Sequence, residues 1–414
     1  MNIGFVGLGK LGLPCALAVD SVSEHKVIGY DVDKKIKDYL DKREIPYREK
    51  DSEKYLKNHN IEFLSLNEVV KNSEIIFVPI QTPHDPLYDG VTRLPDTRVD
   101  FDYKFLIDGV KKISDEIEKI GEERIVVIIS TVLPGTIEKQ IKPILSEYIK
   151  LSYNPFFIAM GTTIDDFLNP EFVLLGIDDT DAAKKLKEFY KTLHDKEVYE
   201  CTIDEAELIK VSYNTFITMK ICLANTVTEM SHKLNNVNTD NVMSALKLAN
   251  QRLISDKYLN GGMGDGGGCH PRDNIALSWL SREVDLSYDW YENLMISREK
   301  HTEWLADLSI DYSKSTGLEI VILGKSFKKE TNLINGSPSY LLNSILKEKN
   351  YKAEMFDPFI DEEEFSQDSP KVFFIGTNHD VFKEYEFPKG SVVIDPWRII
   401  TNDKDIELVS IGIS

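Results

Sequence analysis

Short apolar runs alternate with helix-like stretches over the first half of the chain. The run at residues 2–6 precedes a glycine-rich turn and a helical pattern, Pro14–Val19, and a second run, Lys26–Tyr30, ends at Asp31. Further apolar runs follow at Ile75–Ile80, Ile125–Ile129 and Phe172–Leu175. Because strands that alternate with helices usually pair in parallel, this order predicts a mostly parallel, doubly wound sheet.

From about Ile203 the pattern becomes helical. Apolar residues recur at helical spacing, with no strand pattern between them, at Leu208, Val211, Phe216, Met219, Leu223 and Val227. The spacing predicts one long helix, followed by a helical region to about Lys314. The apolar face of this helix is wider than a linker needs, so a homodimer or higher homo-oligomer is expected.

Strand patterns return near the C-terminus, at Glu319–Leu323, Met355–Pro358, Lys371–Gly376 and Ser391–Asp395. We therefore expect an α/β protein with two doubly wound domains, residues 1–200 and 313–414. A long central helix and a helical linker domain, residues 201–312, join them.

Composition narrows the classes of function. The formal net charge of −20 disfavours binding to a nucleic-acid backbone. No apolar run approaches the roughly 20 residues that span a bilayer, and the first residues lack the basic region of a signal peptide. The four cysteines contain no Cys-x-x-Cys pair, which suits a reducing compartment. We expect a cytoplasmic protein without a membrane partner or a metal.

The turn after the first apolar run has the pattern of a dinucleotide site. Gly7 permits a tight turn, Gly9 lets the backbone approach a pyrophosphate, and Gly12 lets helix and strand pack closely. Asp31 can bind the ribose hydroxyls and would repel a 2′-phosphate, so NAD is expected rather than NADP. The expected domains are thus Rossmann-like. Further predicted cofactor contacts are Lys10, Leu11 and Lys35, although surface charge is the simpler explanation of Lys35.

A second unusual segment, residues 261–273, contains six glycines within eight residues and then Cys269. Such a loop forms neither an ordinary helix nor a strand, and it brings the backbone close to a neighbour. His270 and Arg272 flank the thiol, and either can favour its thiolate form. The alternative is a flexible loop with an incidental cysteine.

Eight further segments match motifs of one known protein family, in the order in which that family carries them. They are Gln81–Pro83, Ser130–Thr136, Glu207–Asn214, Asn250–Arg252, Lys257–Leu259, Gly324–Thr331, Phe356–Pro358 and Asp395–Arg398. With the glycine turn and the cysteine loop, they make the whole chain resemble the UDP-glucose/GDP-mannose dehydrogenase family. The resemblance implies an NAD-binding N-terminal domain, a central dimerisation domain and a C-terminal domain that binds a nucleotide sugar.

The resemblance also implies a reaction. A sugar CH₂OH is oxidised to a carboxylate in two hydride transfers, and Cys269 forms a thiohemiacetal and then a thioester. Lys210 and Asn214, spaced i, i+4, share a helix face and can stabilise an oxyanion. Asp273 can position or deprotonate water. The resemblance also implies that Thr131 is catalytic, together with Cys269, Lys210, Asn214 and Asp273. Implied cofactor contacts are Thr82, Thr131 and Arg272, and implied substrate contacts are Lys210, Asn214, Arg252, Tyr258, Gly266, Phe327, Lys328 and Arg398.

Several positions depart from the family pattern. Phe156 and Met160 stand where the family has glutamates, and the first of these glutamates is thought to assist the hydrolytic water. Asp265 and His270 replace aromatic residues of the cysteine loop, and Asn335 replaces an arginine. Asp273 and Asp265 are candidates to replace part of the role of the missing glutamate, and His270 is an added base near neutral pH.

These departures leave alternatives open. One is a two-electron enzyme that stops at the aldehyde, and another is a nucleotide-sugar-binding homologue without turnover. A hydroxyacid dehydrogenase of the 6-phosphogluconate type would share the N-terminal domain and the long helix. That class has no use for the cysteine loop or for the second α/β domain.

Overall fold

A computed structural model describes the chain except for residues 84, 94, 251–254, 256, 259, 266, 284, 286–288, 363–368, 402–404 and 414. The chain forms two compact units. The first comprises Met1–Pro83 and Phe101–Ser212, and the second comprises His84–Asp100 and Tyr213–Ser414.

The first unit is built on an eight-stranded sheet in the order β3-β2-β1-β4-β5-β6-β7-β8. All neighbouring strands are parallel except β6 and β7, which are antiparallel. The strands are β1 (Asn2–Val6), β2 (Lys26–Tyr30), β3 (Glu62–Phe63), β4 (Ile75–Val78), β5 (Arg124–Ile128), β6 (Ile149–Tyr153), β7 (Val173–Ile177) and β8 (Val198–Cys201). The predicted doubly wound sheet is confirmed, and β3, β6 and β8 are additional to the prediction.

The helices of the first unit are α1 (Gly12–Val22), α2 (Lys35–Lys42), α3 (Ser52–Asn58), α4 (Leu66–Asn72), α5 (Lys104–Ile120), α6 (Thr163–Leu168) and α7 (Thr180–Lys191). Helix α1 is buried from Gly12 to Val19, which explains why nearly all of these residues are apolar. Helix α4 begins at a capping box, in which the Ser65 and Glu68 side chains each bind the other residue's backbone N–H.

The second unit contains a five-stranded parallel sheet in the order β10-β9-β11-β12-β13. Its strands are β9 (Ile320–Leu323), β10 (Ala353–Phe356), β11 (Val372–Ile375), β12 (Val392–Asp395) and β13 (Glu407–Ser410). Strands β9, β11 and β12 are buried along their whole length, which accounts for their apolar sequences up to Asp395, the last residue of β12. The second predicted α/β sheet is therefore confirmed, with β13 as an unpredicted edge strand.

The remaining helices are α8 (Ile203–Lys233), α9 (Thr239–Lys247), α10 (Cys269–Glu283), α11 (Trp290–Thr316) and α12 (Pro338–Glu348). The predicted long helix is α8, and it ends at Lys233. Helix α9 starts separately because the Asn238 side chain accepts hydrogen bonds from the backbone at Asp240 and Asn241. Within the described residues, the helices lack the combination of length and apolar character that a membrane span requires.

Candidate active site

The glycine turn of the first unit has an open face. Gly7 donates its N–H to the carbonyl of Tyr30 at 2.8 Å and has a φ of +112°, a conformation that side chains disfavour. A Cβ on Gly12 would collide with the carbonyl oxygen of Gly7. A Cβ on Gly9 would meet nothing within 4 Å. The backbone at Gly9 therefore faces open space beside the N-terminus of α1, as a pyrophosphate requires.

Asp31 is tied to the same turn. Its carboxylate accepts hydrogen bonds from the backbone N–H groups of Leu8 at 2.7 Å and Asp33 at 2.8 Å. Each carboxylate oxygen has more than one acceptor site, so both can still bind ribose hydroxyls. The side chains of Lys10 and Lys35 are exposed, and Leu11 is half-buried at the start of α1. The turn, the helix end and the acid together fit a dinucleotide.

A second loop of the first unit, residues 130–136, is held from two sides. The Thr82 hydroxyl donates to the carbonyl of Thr131 at 2.7 Å. On the other side, the Glu207 carboxylate accepts from the N–H groups of Gly135 at 2.6 Å and Ile137 at 2.9 Å. Thr82 and Thr131, both predicted cofactor residues, are thus brought together.

Lys210 lies one turn after Glu207 on α8 and is buried. Its ammonium nitrogen is 5.2 Å from the ring centre of Phe157, which packs on Phe172 at 4.9 Å. The neighbouring Phe156 packs on Phe167 at 5.1 Å, against the hydrophobic core of the first unit. The position of the first missing glutamate is therefore filled by an aromatic ring and offers no base.

In the second unit, the glycine-rich loop that precedes Cys269 is packed tightly against protein. A Cβ on Gly264 would lie 2.5 Å from Pro338, and one on Gly267 would lie 2.5 Å from Phe327. Both glycines also have positive φ values, +76° and +107°. The sequence predicts that the backbone of this loop lies close to a neighbour. At Gly264 and Gly267 that neighbour is a side chain of the same unit, Pro338 or Phe327.

Three side chains fix the start of this loop. Asn225 of α8 accepts from the N–H of Gly262 at 3.0 Å and donates to the carbonyl of Gly264 at 2.7 Å. His301 lies 3.2 Å from the carbonyl of Gly262. The third, Arg398, donates to the carbonyl of Gly261 at 2.8 Å. The start of the loop is therefore tied by hydrogen bonds to three other segments of the second unit.

The guanidinium of Arg398 is occupied by protein acceptors. Besides Gly261, it binds the Asp240 carboxylate at 2.9 Å and the backbone carbonyls of Pro396 and Ile411. A side chain with these partners braces the loop and has little left to offer a sugar. The geometry thus gives no support to the prediction that Arg398 contacts substrate.

Asp265, one of the two carboxylates considered as a replacement base, is also occupied. It is fully buried, and its Oδ1 accepts from Nε of Arg298 at 3.0 Å. Arg298 in turn donates to the carbonyl of Gly90 at 2.5 Å. This buried ion pair gives Oδ1 of Asp265 a structural partner, and the part of Asp265 in water activation stays a prediction.

Cys269 is the first residue of α10, and its side chain is exposed. The backbone N–H of His270 binds the carbonyl of Gly267 at 3.1 Å, and Pro271 occupies the first helical turn, where a proline needs no N–H partner. The positive end of the helix dipole favours negative charge at this place. The thiol therefore belongs to an exposed residue at the N-terminal end of a helix.

Asp273 joins two other predicted residues. Its carboxylate is fully buried and accepts from Nε of Arg272 at 2.9 Å and from the side-chain amide of Asn214. Asn214, Arg272 and Asp273 thus form one hydrogen-bonded group that links α8 to the start of α10. Arg272 binds this carboxylate, and its contact with the cofactor stays a prediction.

The second unit repeats the glycine–acid turn of the first. Gly324 donates to the carbonyl of Phe356 at 2.6 Å, and the N–H groups of Lys325 and Ser326 bind the Asp357 carboxylate at 2.7 and 2.9 Å. Burial by itself raises the pKa of Asp357, but the hydrogen bonds from His379 and from the backbone lower it to about 2. This turn begins the segment that carries Phe327 and Lys328.

The predicted substrate residues of that segment lie together. The ammonium of Lys328 is 6.0 Å from the ring centre of Phe327, and the same ring backs the cysteine loop at Gly267. Asn335 is exposed, and its carbonyl backs Gly268. The side chain of Tyr258 is exposed. Arg252 and Gly266, two further predicted contacts, lie outside the described residues.

Comparison with known proteins identifies the family. The model of the NAD-binding domain of the UDP-glucose/GDP-mannose dehydrogenase family matches residues 1–194, and the model of its central domain matches residues 204–297. The chain belongs to this family. It is an NAD-dependent nucleotide-sugar dehydrogenase, as the resemblance in its motifs implied.

Relatives of this dehydrogenase match it over most of its length. The UDP-glucose 6-dehydrogenase of Rickettsia conorii is 26% identical over an alignment of 434 positions, which covers 97% of this chain and 96% of the relative. The GDP-mannose 6-dehydrogenase of Pseudomonas aeruginosa is 27% identical over 370 residues, 86% of this chain and 81% of the relative. A solved UDP-glucose dehydrogenase from Pyrobaculum islandicum shares the fold, with a TM-score of 0.86, 23% identity and coverage of 100% and 98%.

One residue of the dehydrogenase was overlooked in the sequence. Glu207 lies within the recognised segment 207–214 but was given no role, although its carboxylate holds the loop that carries Thr131. Burial raises its pKa to about 7, outweighing the hydrogen bonds from Ile137 and Gly135, which lower it. Its position three residues before Lys210, on the same helix face, was the available signal.

Proposed function

We propose that this dehydrogenase oxidises the C6 hydroxymethyl group of a UDP-glucose-like nucleotide sugar to a uronic acid through a covalent intermediate on Cys269. The observation that carries the proposal is the placement of this thiol. Of the four cysteines, all of which lie among the described residues, Cys269 alone is exposed, and it begins a helix. A nucleophilic thiol is what allows an alcohol dehydrogenase to reach the acid level.

The residues proposed to hold NAD are the turn Gly7–Gly12, Asp31, Thr82 and Thr131. When bound, NAD accepts a hydride from the sugar carbon in each of the two oxidations. The turn supplies backbone N–H groups to the pyrophosphate, and Asp31 accepts hydrogen bonds from ribose. Because a carboxylate repels a 2′-phosphate, the same residue selects against NADP.

Lys210 and Asn214 are proposed to stabilise the oxygen of the former alcohol as negative charge develops on it. One N–H of the Asn214 amide is given to Asp273, which fixes the orientation of the amide and directs its second N–H elsewhere. The thiolate of Cys269 adds to the aldehyde carbon to give a thiohemiacetal. Oxidation of this adduct gives a thioester, and hydrolysis releases the carboxylate and restores the thiol.

A second candidate is a two-electron enzyme that releases the aldehyde. The packing of Phe156 against Phe167 favours it, because the family's hydrolytic glutamate is absent from that position. Against it stands the exposed thiol of Cys269, which a two-electron enzyme does not need. The same thiol also argues against a homologue that binds nucleotide sugars without turnover.

The deciding experiment counts NADH per sugar, with UDP-, GDP- and dTDP-hexoses as substrates. The proposal predicts two NADH and one uronic acid per sugar consumed, and no uronic acid from Cys269→Ser. Cys201→Ser, which removes a less exposed thiol, is the matched control and should behave like the unmodified enzyme. One NADH per sugar with accumulation of the aldehyde would contradict the proposal and support the two-electron candidate.

A homodimer or higher homo-oligomer is proposed from the surface of α8. Leu208, Phe216 and Leu223 are 47%, 39% and 53% exposed, and their spacing places them on one side of the helix. Apolar side chains at such positions favour burial against a second copy. Light scattering should give a multiple of the 47.3 kDa chain mass. A cytoplasmic location is likewise proposed, because none of the four cysteines, all of them among the described residues, forms a disulfide.

A further inference from the structure

Three neighbouring strands of the second sheet end beside one another. In the order β10-β9-β11, Asp357 follows β10 directly, the segment 324–330 follows β9, and His379 lies four residues beyond β11. Because the carboxyl ends of parallel strands lie at one edge of the sheet, these residues meet at that edge. The segment 324–330 carries Phe327 and Lys328, two of the predicted substrate residues. His379 can therefore reach the backbone that presents them.

The side chain of His379 is fully buried, and both of its ring nitrogens have protein partners. Its Nδ1 accepts the backbone N–H of Glu330 at 2.9 Å. Its Nε2 lies 3.1 Å from the Asp357 carboxylate and 3.0 Å from the hydroxyl of Ser326. The ring therefore connects residues 326 and 330, which flank the two predicted substrate residues, to the end of β10.

These hydrogen bonds determine which nitrogen of the ring carries the hydrogen. A backbone N–H can only donate, so Nδ1 must offer its lone pair to Glu330. The hydrogen then lies on Nε2, where the carboxylate of Asp357 accepts it. The Ser326 hydroxyl donates to the carbonyl of Lys328 at 3.0 Å, so its oxygen is also an acceptor toward the ring. The contacts are therefore consistent with one tautomer and one orientation of the imidazole.

A second hydrogen bond joins the same two places. The N–H of Asp380, the residue after His379, donates to the Glu330 carboxylate at 3.1 Å. Glu330 has a φ of +59°, a conformation that residues with a side chain adopt uncommonly. In the part of the chain that the structure describes, its N–H is bound by His379 alone. Loss of the Nδ1 acceptor would therefore release a turn that lies two residues from Lys328.

The imidazole is also fixed by packing. The ring of Phe359 lies 4.6 Å from it and the ring of Phe382 lies 5.6 Å from it, measured between ring centres. The segment that His379 holds in turn contacts the cysteine loop, because a Cβ on Gly267 would lie 2.5 Å from the Phe327 ring. A firmly seated imidazole thus holds a backbone segment that borders the loop before Cys269.

We propose that His379 is a positioning residue of the nucleotide-sugar site, which holds the turn 326–330 so that Phe327 and Lys328 face the substrate. This inference rests on the proposed function and on the predicted part of these two residues in binding the nucleotide sugar. The charge of Lys328 attracts a phosphate strongly only at short distance, because the Coulomb energy falls with separation. His379 therefore sets the affinity for the nucleotide sugar, whereas the residues proposed to hold NAD lie in the first unit.

Two substitutions separate the functions of the two ring nitrogens. Asparagine places its amide oxygen near the position of Nδ1 and keeps an acceptor for Glu330. Glutamine places its amide nitrogen near the position of Nε2 and keeps a donor for Asp357, but it loses the Nδ1 acceptor. Each variant loses one buried hydrogen bond, so both should lower the denaturant midpoint of unfolding.

The KM for the nucleotide sugar should separate the two variants. It is measured with whichever of UDP-glucose, GDP-mannose and dTDP-glucose the unmodified enzyme oxidises. His379→Gln should raise this KM by about tenfold or more, and His379→Asn should keep it near the wild-type value. The KM for NAD should stay unchanged in both variants. A residue with a purely structural part would affect both variants alike.

Leu346→Ala is the matched control, because this fully buried residue of α12 belongs to the hydrophobic core of the same unit. It should lower stability without changing either KM. The route of the effect is tested with Lys328→Met. If His379 acts through Lys328, adding His379→Gln to this variant should raise the KM by less than the same substitution does in the unmodified enzyme.

The inference is overturned if His379→Gln leaves the KM for the nucleotide sugar unchanged, or if His379→Asn raises it equally. If neither variant folds, hydrogen exchange in the unmodified enzyme decides. The N–H of Glu330 should exchange slowly although this residue is exposed, since a buried ring nitrogen binds it, and rapid exchange overturns the inference. In these cases the proposed function stands. If the unmodified enzyme oxidises none of the three nucleotide sugars, the proposed function fails and the inference fails with it.

Discussion

Glu207→Gln tests whether a buried carboxyl group holds the loop that carries Thr131. The ordinary pKa of a glutamate, 4.5, is raised here to about 7. Between these values the folded chain keeps a proton that the unfolded chain has lost, so stability falls as pH rises. At 1.36 kcal/mol per pH unit, the full effect is about 3 kcal/mol, of which about 2.5 kcal/mol falls between pH 5 and pH 8.

Glutamine lacks this titration but keeps one acceptor oxygen. It should bind only one of the two N–H groups of Gly135 and Ile137, at a constant cost of about 1–3 kcal/mol. The difference in unfolding free energy, variant minus wild type, should therefore rise by about 2.5 kcal/mol from pH 5 to pH 8. Urea unfolding followed by far-ultraviolet circular dichroism at several pH values measures it.

Glu138→Gln is the matched control, because it removes an exposed carboxyl group from the same segment. A difference between Glu207→Gln and the wild type that stays constant across the pH range would refute the reasoning. It would mean either that the carboxyl group of Glu207 is not buried or that the hydrogen bonds from the loop outweigh its burial.

Three further predictions concern the cofactor and the cysteine loop. Asp31→Ser should lower the preference for NAD over NADP by about tenfold or more, because one or two ribose hydrogen bonds and a repulsive charge are lost; KM values for both cofactors measure this. Arg298→Met should destabilise the second unit by about 3–5 kcal/mol, since Asp265 would remain as an unpaired buried charge, and tryptophan-monitored urea unfolding would reveal it. Gly267→Ala should lower kcat and slow alkylation of Cys269, because its φ of +107° and the Phe327 ring leave no place for a methyl group; unchanged alkylation would contradict the described packing.

The dinucleotide turn could be predicted because its residues lie close together in the sequence. Gly7, Gly12 and Asp31 act within one strand–helix–strand unit, so spacing alone fixes their relation. Three of the strands that were missed, β3, β8 and β13, lie at an edge of their sheet, whereas β6 lies inside the sheet and is interrupted by the polar Lys150 and Ser152. Strand β8, for example, has four residues, and Tyr199 within it is exposed. Such strands lack the apolar run on which the prediction depended.

Roles that depend on distant partners could not be read from the sequence. Glu207 receives its hydrogen bonds from a loop some 70 residues earlier, and Asp265 is paired with a residue 33 positions later. Arg398 fits a family segment, yet its acceptors come from three other parts of the second unit. A motif gives the type of side chain, whereas the fold decides which of its donors and acceptors remain available.

The covalent step at Cys269 is tested most directly by trapping its product. The enzyme is mixed with NAD and UDP-glucose, quenched in acid within one turnover, digested and examined by mass spectrometry. We predict a uronyl-nucleotide adduct on the peptide that contains Cys269, and the unmodified mass when NAD is omitted. Formation of two NADH per sugar with no adduct on this peptide at any quench time would contradict the role assigned to the thiol.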